Sequence, residues 1–309
     1  MTRSADRRSF IKTVIAGAAA ASLARLEPVL AATENAPAAQ KLSDTLWLLV
    51  SGGANVLACR DPAGLVLVDG GPEAGSRELM KQLSQATGSA RVHTLFNTHW
   101  HPEQTGSNLR LGSEGAKIIA HENTRLWLGY ANPVPPGNAP YGPLPPKARP
   151  SDTFFYDSVK TQFGEEPVQY GYLMQAHTDG DIYVYFRKSN VLVAGGPVSG
   201  AGWPVIDYKT GGWIQGMIEA LRTLSGLADE HTRIIPANGP VLSKADLVEQ
   251  QQMYTSIAGQ MQKMMRQGLG VDEVVARNPA AAFEAKWGDS KQFTDMAFRS
   301  LWGHMAPDS

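Results

Sequence analysis

Short apolar runs separated by turn-forming residues fill the part of the chain that follows its first forty residues. The stretches "TLWLLVSGGANVLACR" and "LVLVDGG" are rich in aliphatic and β-branched residues, and "DPAG" lies between them. Apolar runs bounded by glycine, proline and aspartate are typical of β-strands joined by turns. The same pattern predicts further strands over "VHTLFNTHWH", "AKIIAH", "VQYGYLMQAH", "DIYVYFRKS", "NVLVAGG" and "TRIIPANG".

Segments with helical spacing alternate with these predicted strands. "SRELMKQLSQATG" repeats its apolar residues along one helix face and ends at Gly88, a residue that suits a helix C-cap. Helices are also predicted over "TGGWIQGMIEALRTLSGL" and over "KADLVEQQQMYTSIAGQMQKMMRQGL". Strand groups that alternate with helices favour an α/β architecture in which helices cover the sheets.

One segment, residues 132–150, breaks this alternation with the sequence "NPVPPGNAPYGPLPPKARP". Its density of proline and glycine predicts a long surface loop without regular structure. A linker between two domains is the alternative interpretation. The strands predicted on both sides favour a loop that lies over the open face of one domain.

Residues 1–32 have the features of an export signal. Paired arginines at Arg7 and Arg8 precede an alanine-rich apolar run, and small residues follow at Ala31 and Ala32. This arrangement resembles a twin-arginine signal peptide, which predicts a periplasmic or secreted protein. The apolar run is short beside the roughly 20 residues of a membrane span, so no stable span is predicted. A basic amino-terminal helix or an uncleaved anchor is the alternative.

The composition and net charge of the chain limit the kinds of molecule that it is expected to bind. The chain has 309 residues, 43% of them hydrophobic, and a formal net charge of -1. This length is ample for a buried core, and the near-neutral charge gives no reason to expect nucleic acid as a partner. The only cysteine, Cys59, excludes an intrachain disulfide and is predicted to be a buried core residue.

The stretch "NTHWHPEQTGSN" carries the strongest chemical signal, because His99 and His101 are separated by a single residue. Two histidines on a loop that leaves a strand can both turn towards one ion. Zinc binds imidazole nitrogen and accepts three protein ligands beside an open water position. His177 in "QAHTDGDIYVYF" also follows a predicted strand and is the best third ligand. The remaining histidines are predicted to be structural or solvated: His93, His121, His231 and His304.

Six segments occur in an order that identifies a family resemblance: "VLVDGG", "NTHWHPEQTGSN", "AHTDGDIYVYF", "NVLVAGG", "GGWIQGMIEAL" and "IIPANGPVLSKADL". Together they resemble the metallo-β-lactamase superfamily from about Asp44 to Leu247. The resemblance implies an αββα four-layer sandwich over residues 40–309, with additional helices at the carboxyl end. It also implies a metal cleft along the edges of the two sheets.

This chain departs from the family pattern at the second metal position. The family motif is His-x-His-x-Asp-His, and its last two places are here Glu103 and Gln104. The family's bridging aspartate is replaced by Gly196, and the histidine of its last motif by Asn238. Amide oxygens are poor zinc ligands beside imidazole, and glycine offers none. The resemblance therefore implies that the three histidines bind a single ion. This ion is expected to be zinc, with another divalent metal as the alternative.

Roles can also be assigned to neighbouring acidic residues. Glu103 is the natural candidate to orient a water molecule and to shuttle its proton as a general base. Asp69 matches the family's aspartate that supports the metal loop from behind, and it also suits the turn at its strand end. Asp179 and Asp181 are interpreted mainly as turn residues and as hydrogen-bond partners behind the ligands.

The sequence as a whole predicts an exported metal-dependent hydrolase that cleaves an ester, amide, thioester or phosphoester bond in a small-molecule substrate. The alternative is a non-catalytic binding protein that keeps the fold after losing the binuclear centre. In that case the histidines persist because they pack or hydrogen-bond well. Gly196 and Asn238 favour the alternative, whereas His177 and the His-x-His pair favour the enzyme.

Overall fold

A computed structural model describes residues 39–135, 137, 139–156 and 158–305, and the structural statements below concern those residues. The predicted export signal at residues 1–32 lies outside them and stays a prediction. The strands are β1 (Gln40–Lys41), β2 (Leu46–Ser51), β3 (Ala54–Asp61), β4 (Gly64–Val68), β5 (Val92–Phe96), β6 (Lys117–His121), β7 (Asn132–Val134), β8 (Ala139–Tyr141), β9 (Asp152–Phe154), β10 (Ser158–Phe163), β11 (Glu166–Tyr172), β12 (Ile182–Phe186), β13 (Val191–Gly195) and β14 (Arg233–Pro236).

The α-helices lie between these strands and after the last one. They are α1 (Ser76–Thr87), α2 (Pro102–Thr105), α3 (Asn108–Ser113), α4 (Glu122–Trp127), α5 (Ile214–Leu227), α6 (Lys244–Arg266), α7 (Val271–Arg277), α8 (Glu284–Trp287) and α9 (Lys291–Met305). Among the described helices, none combines the length and the apolar character needed to cross a membrane.

Two mixed sheets organise the described chain. The first has the strand order β1-β2-β3-β4-β5-β6-β9, and the second has the order β10-β11-β12-β13-β14. Strands β4, β5, β6 and β9 pair in parallel, as do β13 and β14, while the other pairs of the two sheets are antiparallel. The long crossovers of parallel pairs require helices, which explains why helices and strands alternate in the sequence.

Strand β4 shows why whole strands of this chain are apolar. Its residues Val66 and Val68 belong to the core between the two sheets, whereas Leu65 and Leu67 belong to the core beneath the helices. Side chains of a strand alternate between its two faces, so a strand buried on both faces needs an apolar residue at each position.

Helices cover the outer face of each sheet. Leu79 and Leu83 of α1 pack on the first sheet, and residues of α5, α6 and α9 pack on the second. The layers therefore run helix, sheet, sheet, helix, and the predicted αββα sandwich is confirmed. The predicted end of α1 is also confirmed, because Gly88 caps it in the left-handed conformation with φ 75°.

The prediction that residues 132–150 lack regular structure is wrong in part. Strands β7 and β8 form a two-stranded antiparallel ribbon in which Pro133 lies opposite Pro140. Proline is tolerated there because the ribbon adjoins no other strand of the two sheets, so few backbone N–H groups are needed for pairing. The segment lies inside one compact unit, which contradicts the linker interpretation.

The reactivity of the single thiol, that of Cys59, tests whether the core between the two sheets is closely packed. Cys59 is fully buried, and this burial raises the pKa of its thiol to about 12. Only the thiolate is nucleophilic, so the native protein should show no reaction with a disulfide reagent at about pH 8. One thiol per chain should react after unfolding in guanidinium. Stoichiometric labelling of the native protein would contradict the burial of Cys59.

Candidate metal centre

The ends of strands from both sheets bring three histidines together. His99 and His101 lie in the loop after β5, and His177 lies in the loop between β11 and β12. All three are buried, and one potential ligand atom from each lies within 4.8 Å of the others. The structure thus places the three predicted ligands in one cluster, and their assignment as metal ligands stays a prediction.

Protein atoms fix one ring nitrogen of two of these histidines. His177 Nδ1 lies 2.7 Å from the carbonyl oxygen of Val205, and His101 Nε2 lies 3.1 Å from Asp207 Oδ2. Their other nitrogens, His177 Nε2 and His101 Nδ1, lie 3.1 Å apart. The N–H of each imidazole therefore donates a hydrogen bond to an oxygen atom outside the cluster. The remaining nitrogen of each ring faces the cluster, as in metal-binding histidines.

The third ring is held in the same manner. His99 Nδ1 lies 3.1 Å from Thr98 Oγ1 and 4.0 Å from Asp181 Oδ1. Asp181 is itself buried, and its other oxygen accepts a hydrogen bond from the backbone N–H of Thr178. This leaves Nε2 of His99 as the nitrogen that an ion could use.

Burial favours the neutral, metal-binding form of two of the imidazoles, those of His99 and His177. It lowers the pKa of His177 to about 3, with a further contribution from the neighbouring His101. Burial also lowers the pKa of His99 well below its usual value, and the two other histidines add to this effect. A metal ligand must be unprotonated, so the lowered pKa values of His99 and His177 fit a divalent ion of the zinc type.

Asp69 supports the histidine loop from behind, through Thr98 rather than by direct contact with a ligand. Its carboxylate accepts hydrogen bonds of 2.8 Å from both the backbone N–H and the hydroxyl of Thr98. Asp69 follows β4 with φ 63°, so it also occupies the turn at its strand end. Burial raises its pKa to about 7, although the hydrogen bonds from Thr98 act against this increase.

Asp207 is the part of the centre that sequence reasoning missed. Its carboxylate contacts His101 and also accepts a hydrogen bond of 2.6 Å from the hydroxyl of Thr210. Burial alone would raise the pKa of Asp207, but the hydrogen bonds from His101 and Thr210 hold it below its usual value. Its contact with His101 spans 106 positions of sequence, so no local motif marks it.

A cleft of about 300 Å³ opens beside the histidines, and the remaining predicted site residues line it. Gln104 lies buried in α2, and its neighbour Glu103 is exposed at the mouth of the cleft. Gly196 follows β13, and Asn238 is exposed beyond β14. The other four histidines do not line the cleft: His93 lies beside Asp61, His121 stacks on Tyr172, His304 stacks on Trp213, and His231 is exposed.

Gly196 contributes space rather than a ligand. A Cβ atom added to it would lie 2.3 Å from Cδ2 and 2.6 Å from Cγ of His177. Separations under 3.0 Å are essentially never seen for real Cβ atoms, so any side chain here would require the imidazole to move. The ring of His177 therefore occupies the volume that an aspartate at this position would need.

Comparison with known proteins gives the family. The metallo-beta-lactamase superfamily model matches residues 50–237, which is more than half of the chain. The chain belongs to the metallo-beta-lactamase superfamily. Membership of this superfamily, whose metals are divalent and usually zinc, together with the three-histidine cluster points to a metal-dependent hydrolase. No curated protein matches the sequence significantly.

Solved structures show the same superfamily fold at low sequence identity. A metallo-beta-lactamase from Pontibacter korlensis has a TM-score of 0.57 at 17% identity, over 70% of this chain and 98% of that one. The inverting sec-alkylsulfatase Pisa1 from Pseudomonas sp. has a TM-score of 0.64 at 14% identity, over 88% of this chain and 50% of that one. The DIM-1 metallo-beta-lactamase exposed to ceftazidime has a TM-score of 0.55 at 17% identity, over 72% and 99%.

The contact between Gly196 and His177 predicts the effect of a minimal substitution. If His177 binds zinc as predicted, Gly196→Ala should weaken zinc binding about 10- to 100-fold, because the added methyl group displaces the His177 ring. Competition with a chelating dye measures this affinity. Gly226→Ala in α5 is the matched control, since its added Cβ meets no atom within 4 Å. Equal affinity of the Gly196→Ala and control variants would contradict the predicted crowding.

Proposed function

We propose that this superfamily member is an exported hydrolase that uses one divalent ion, zinc in first place, held by His99, His101 and His177. The observation that supports it is the cluster of three buried imidazoles, in which hydrogen bonds fix the nitrogen of each ring that faces away. The bond to be cleaved is an ester, amide, thioester or phosphoester in a small molecule. The arginine pair and apolar run within residues 1–32 support export to the periplasm or beyond.

In such a reaction, the residues around the cluster have separate roles. A divalent ion bound there would supply Lewis-acid polarisation and a lowered pKa for water. Asp207 orients His101 from behind, and Asp69 fixes the loop through Thr98. Glu103 lines the cleft with an exposed carboxylate, which supports its proposed role as the general base that takes a proton from the attacking water and passes it to the leaving group.

A non-catalytic binding protein is the second candidate, and Gly196 is the observation that favours it. The family's bridging carboxylate is absent at that position, and the His177 ring fills the space. A protein of this kind would keep the sandwich and the cleft without turnover. The binding protein is expected to hold no metal, whereas the hydrolase is expected to hold one ion. The metal content of the chain is therefore the first quantity to measure.

Elemental analysis of the full chain, purified without added metal, should find about one equivalent of a divalent metal, as a three-ligand catalytic site requires. His177→Ala should lose this metal because one of three ligands is removed. His231→Ala is the matched control, because His231 is exposed and does not line the cleft. Two equivalents would contradict the single-ion proposal. A folded protein that takes up no zinc when it is supplied would favour the binding protein.

Glu103 can be tested separately from the metal. Glu103→Gln should reduce kcat on nitrophenyl esters about 10²- to 10⁴-fold, the usual contribution of a general base, while the metal content stays unchanged. Glu114→Gln, on the exposed end of α3, is the control. Unchanged kcat in Glu103→Gln would remove Glu103 from the reaction and leave the metal proposal standing.

A further inference from the structure

Gln104 is a largely buried residue of the cleft wall, and its hydrogen bonds with other described residues involve only its backbone. Gln104 is only 3% exposed, and its backbone carbonyl accepts hydrogen bonds from Gly70 and Asn97. Among the described residues, none hydrogen-bonds to its side-chain amide, whose atoms stay accessible because Gln104 lines the cleft. An accessible amide without a protein partner can both donate and accept hydrogen bonds, so it is suited to a ligand that enters the cleft.

A second ion is a poor partner for this amide. Gly196 provides no donor atom, and the His177 ring takes the space beside it. Asn238, at the rim of the same cleft, offers a second neutral amide. Neutral amide oxygens are weak ligands for zinc, but an amide group can both donate and accept hydrogen bonds. A carbonyl or hydroxyl group matches this chemistry.

The charge around the cleft selects against an anionic ligand group. Among the described residues that line it, none is lysine or arginine, and Glu103 is the only carboxylate. The two positive charges of a divalent ion would be offset by Glu103 at the mouth and by Asp207 behind His101. An additional anionic group that does not reach the ion would meet Glu103 without a lysine or arginine among the described lining residues to pair with, which disfavours such ligands.

Apolar residues form much of the remaining wall. Val198, Trp203, Pro204 and Val205 lie along the cleft together with Pro135 of the β7–β8 connection. A ligand that fits this surface has an apolar body and few polar groups.

We propose that Gln104, with Asn238 at the rim, binds an uncharged carbonyl or hydroxyl group of the substrate, and that the site takes small neutral esters or amides. The inference rests on the proposed function, because it treats the cleft as the place where the substrate binds.

A matched pair of slowly hydrolysed amides tests this selectivity without depending on turnover. N-propylbutyramide is neutral, and N-propylsuccinamate has nearly the same shape with a carboxylate at its end. The side-chain N–H resonances of Gln104 in the ¹⁵N-labelled full chain, as isolated, report contact directly. They are assigned by their loss in Gln104→Leu, and Gln252→Leu, an exposed position on α6, is the control variant.

The neutral amide should shift the Gln104 resonances in a saturable manner and bind at least about tenfold more tightly than its anionic counterpart. Gln104→Leu should weaken binding of the neutral amide about 2- to 12-fold, the usual loss for one hydrogen bond, and Gln252→Leu should not. Equal or tighter binding of the anionic amide would overturn the proposal. Saturable binding of the neutral amide without any shift of Gln104, or no binding at all, would also overturn it.

Elemental analysis and ester turnover on the same samples separate this inference from the proposed function. Neutral-selective contact with Gln104 in a protein that lacks metal and turnover would retain the subsite and reject the hydrolase. Turnover of esters with equal preference for neutral and anionic members would retain the hydrolase and reject the subsite. Two bound ions would reject the subsite, because Gln104 would then serve the second ion.

Discussion

Thr98 joins the two sheets at the point where the histidines meet. Its N–H and hydroxyl bind the buried carboxylate of Asp69 at the end of β4, and its carbonyl accepts a hydrogen bond of 2.9 Å from Ile182 at the start of β12. The loop that carries His99 is therefore fixed to both layers at once, while His177 approaches from the second sheet. Buried hydrogen bonds of this kind are costly to break, so the geometry of the cluster follows from the packing of the sandwich.

The fold was predictable where local sequence determines local structure. The apolar runs of β4 and β13 and the spacing of α1 up to Gly88 are periodic signals that need no knowledge of distant contacts. The ribbon at β7 and β8 was not predictable, because proline argues against strands in general and only the pairing itself shows that these positions tolerate it.

The candidate site likewise contains residues that local sequence marks and residues that only long-range contacts reveal. His99 and His101 are marked by their spacing and His177 by its place after a strand, and the family resemblance made the set specific. Asp207 carries no such mark, since its partner His101 lies 106 positions away. Gly196 was interpreted only as a lost ligand, because a sequence does not show that the His177 ring rests where its side chain would be. The roles of Asp207 and Gly196 depend on contacts with residues that are distant in the sequence.

The ribbon of β7 and β8 borders the cleft without belonging to either sheet. The hydroxyl of Tyr141 lies 2.8 Å from Thr105 Oγ1 on α2, and Pro135 lines the cleft beside the histidines. Because Thr105 Oγ1 also donates a hydrogen bond to the backbone carbonyl of His101, the ribbon is joined through α2 to the loop that carries His99 and His101. A change in the ribbon would therefore alter the entrance of the cleft and the position of His101 together.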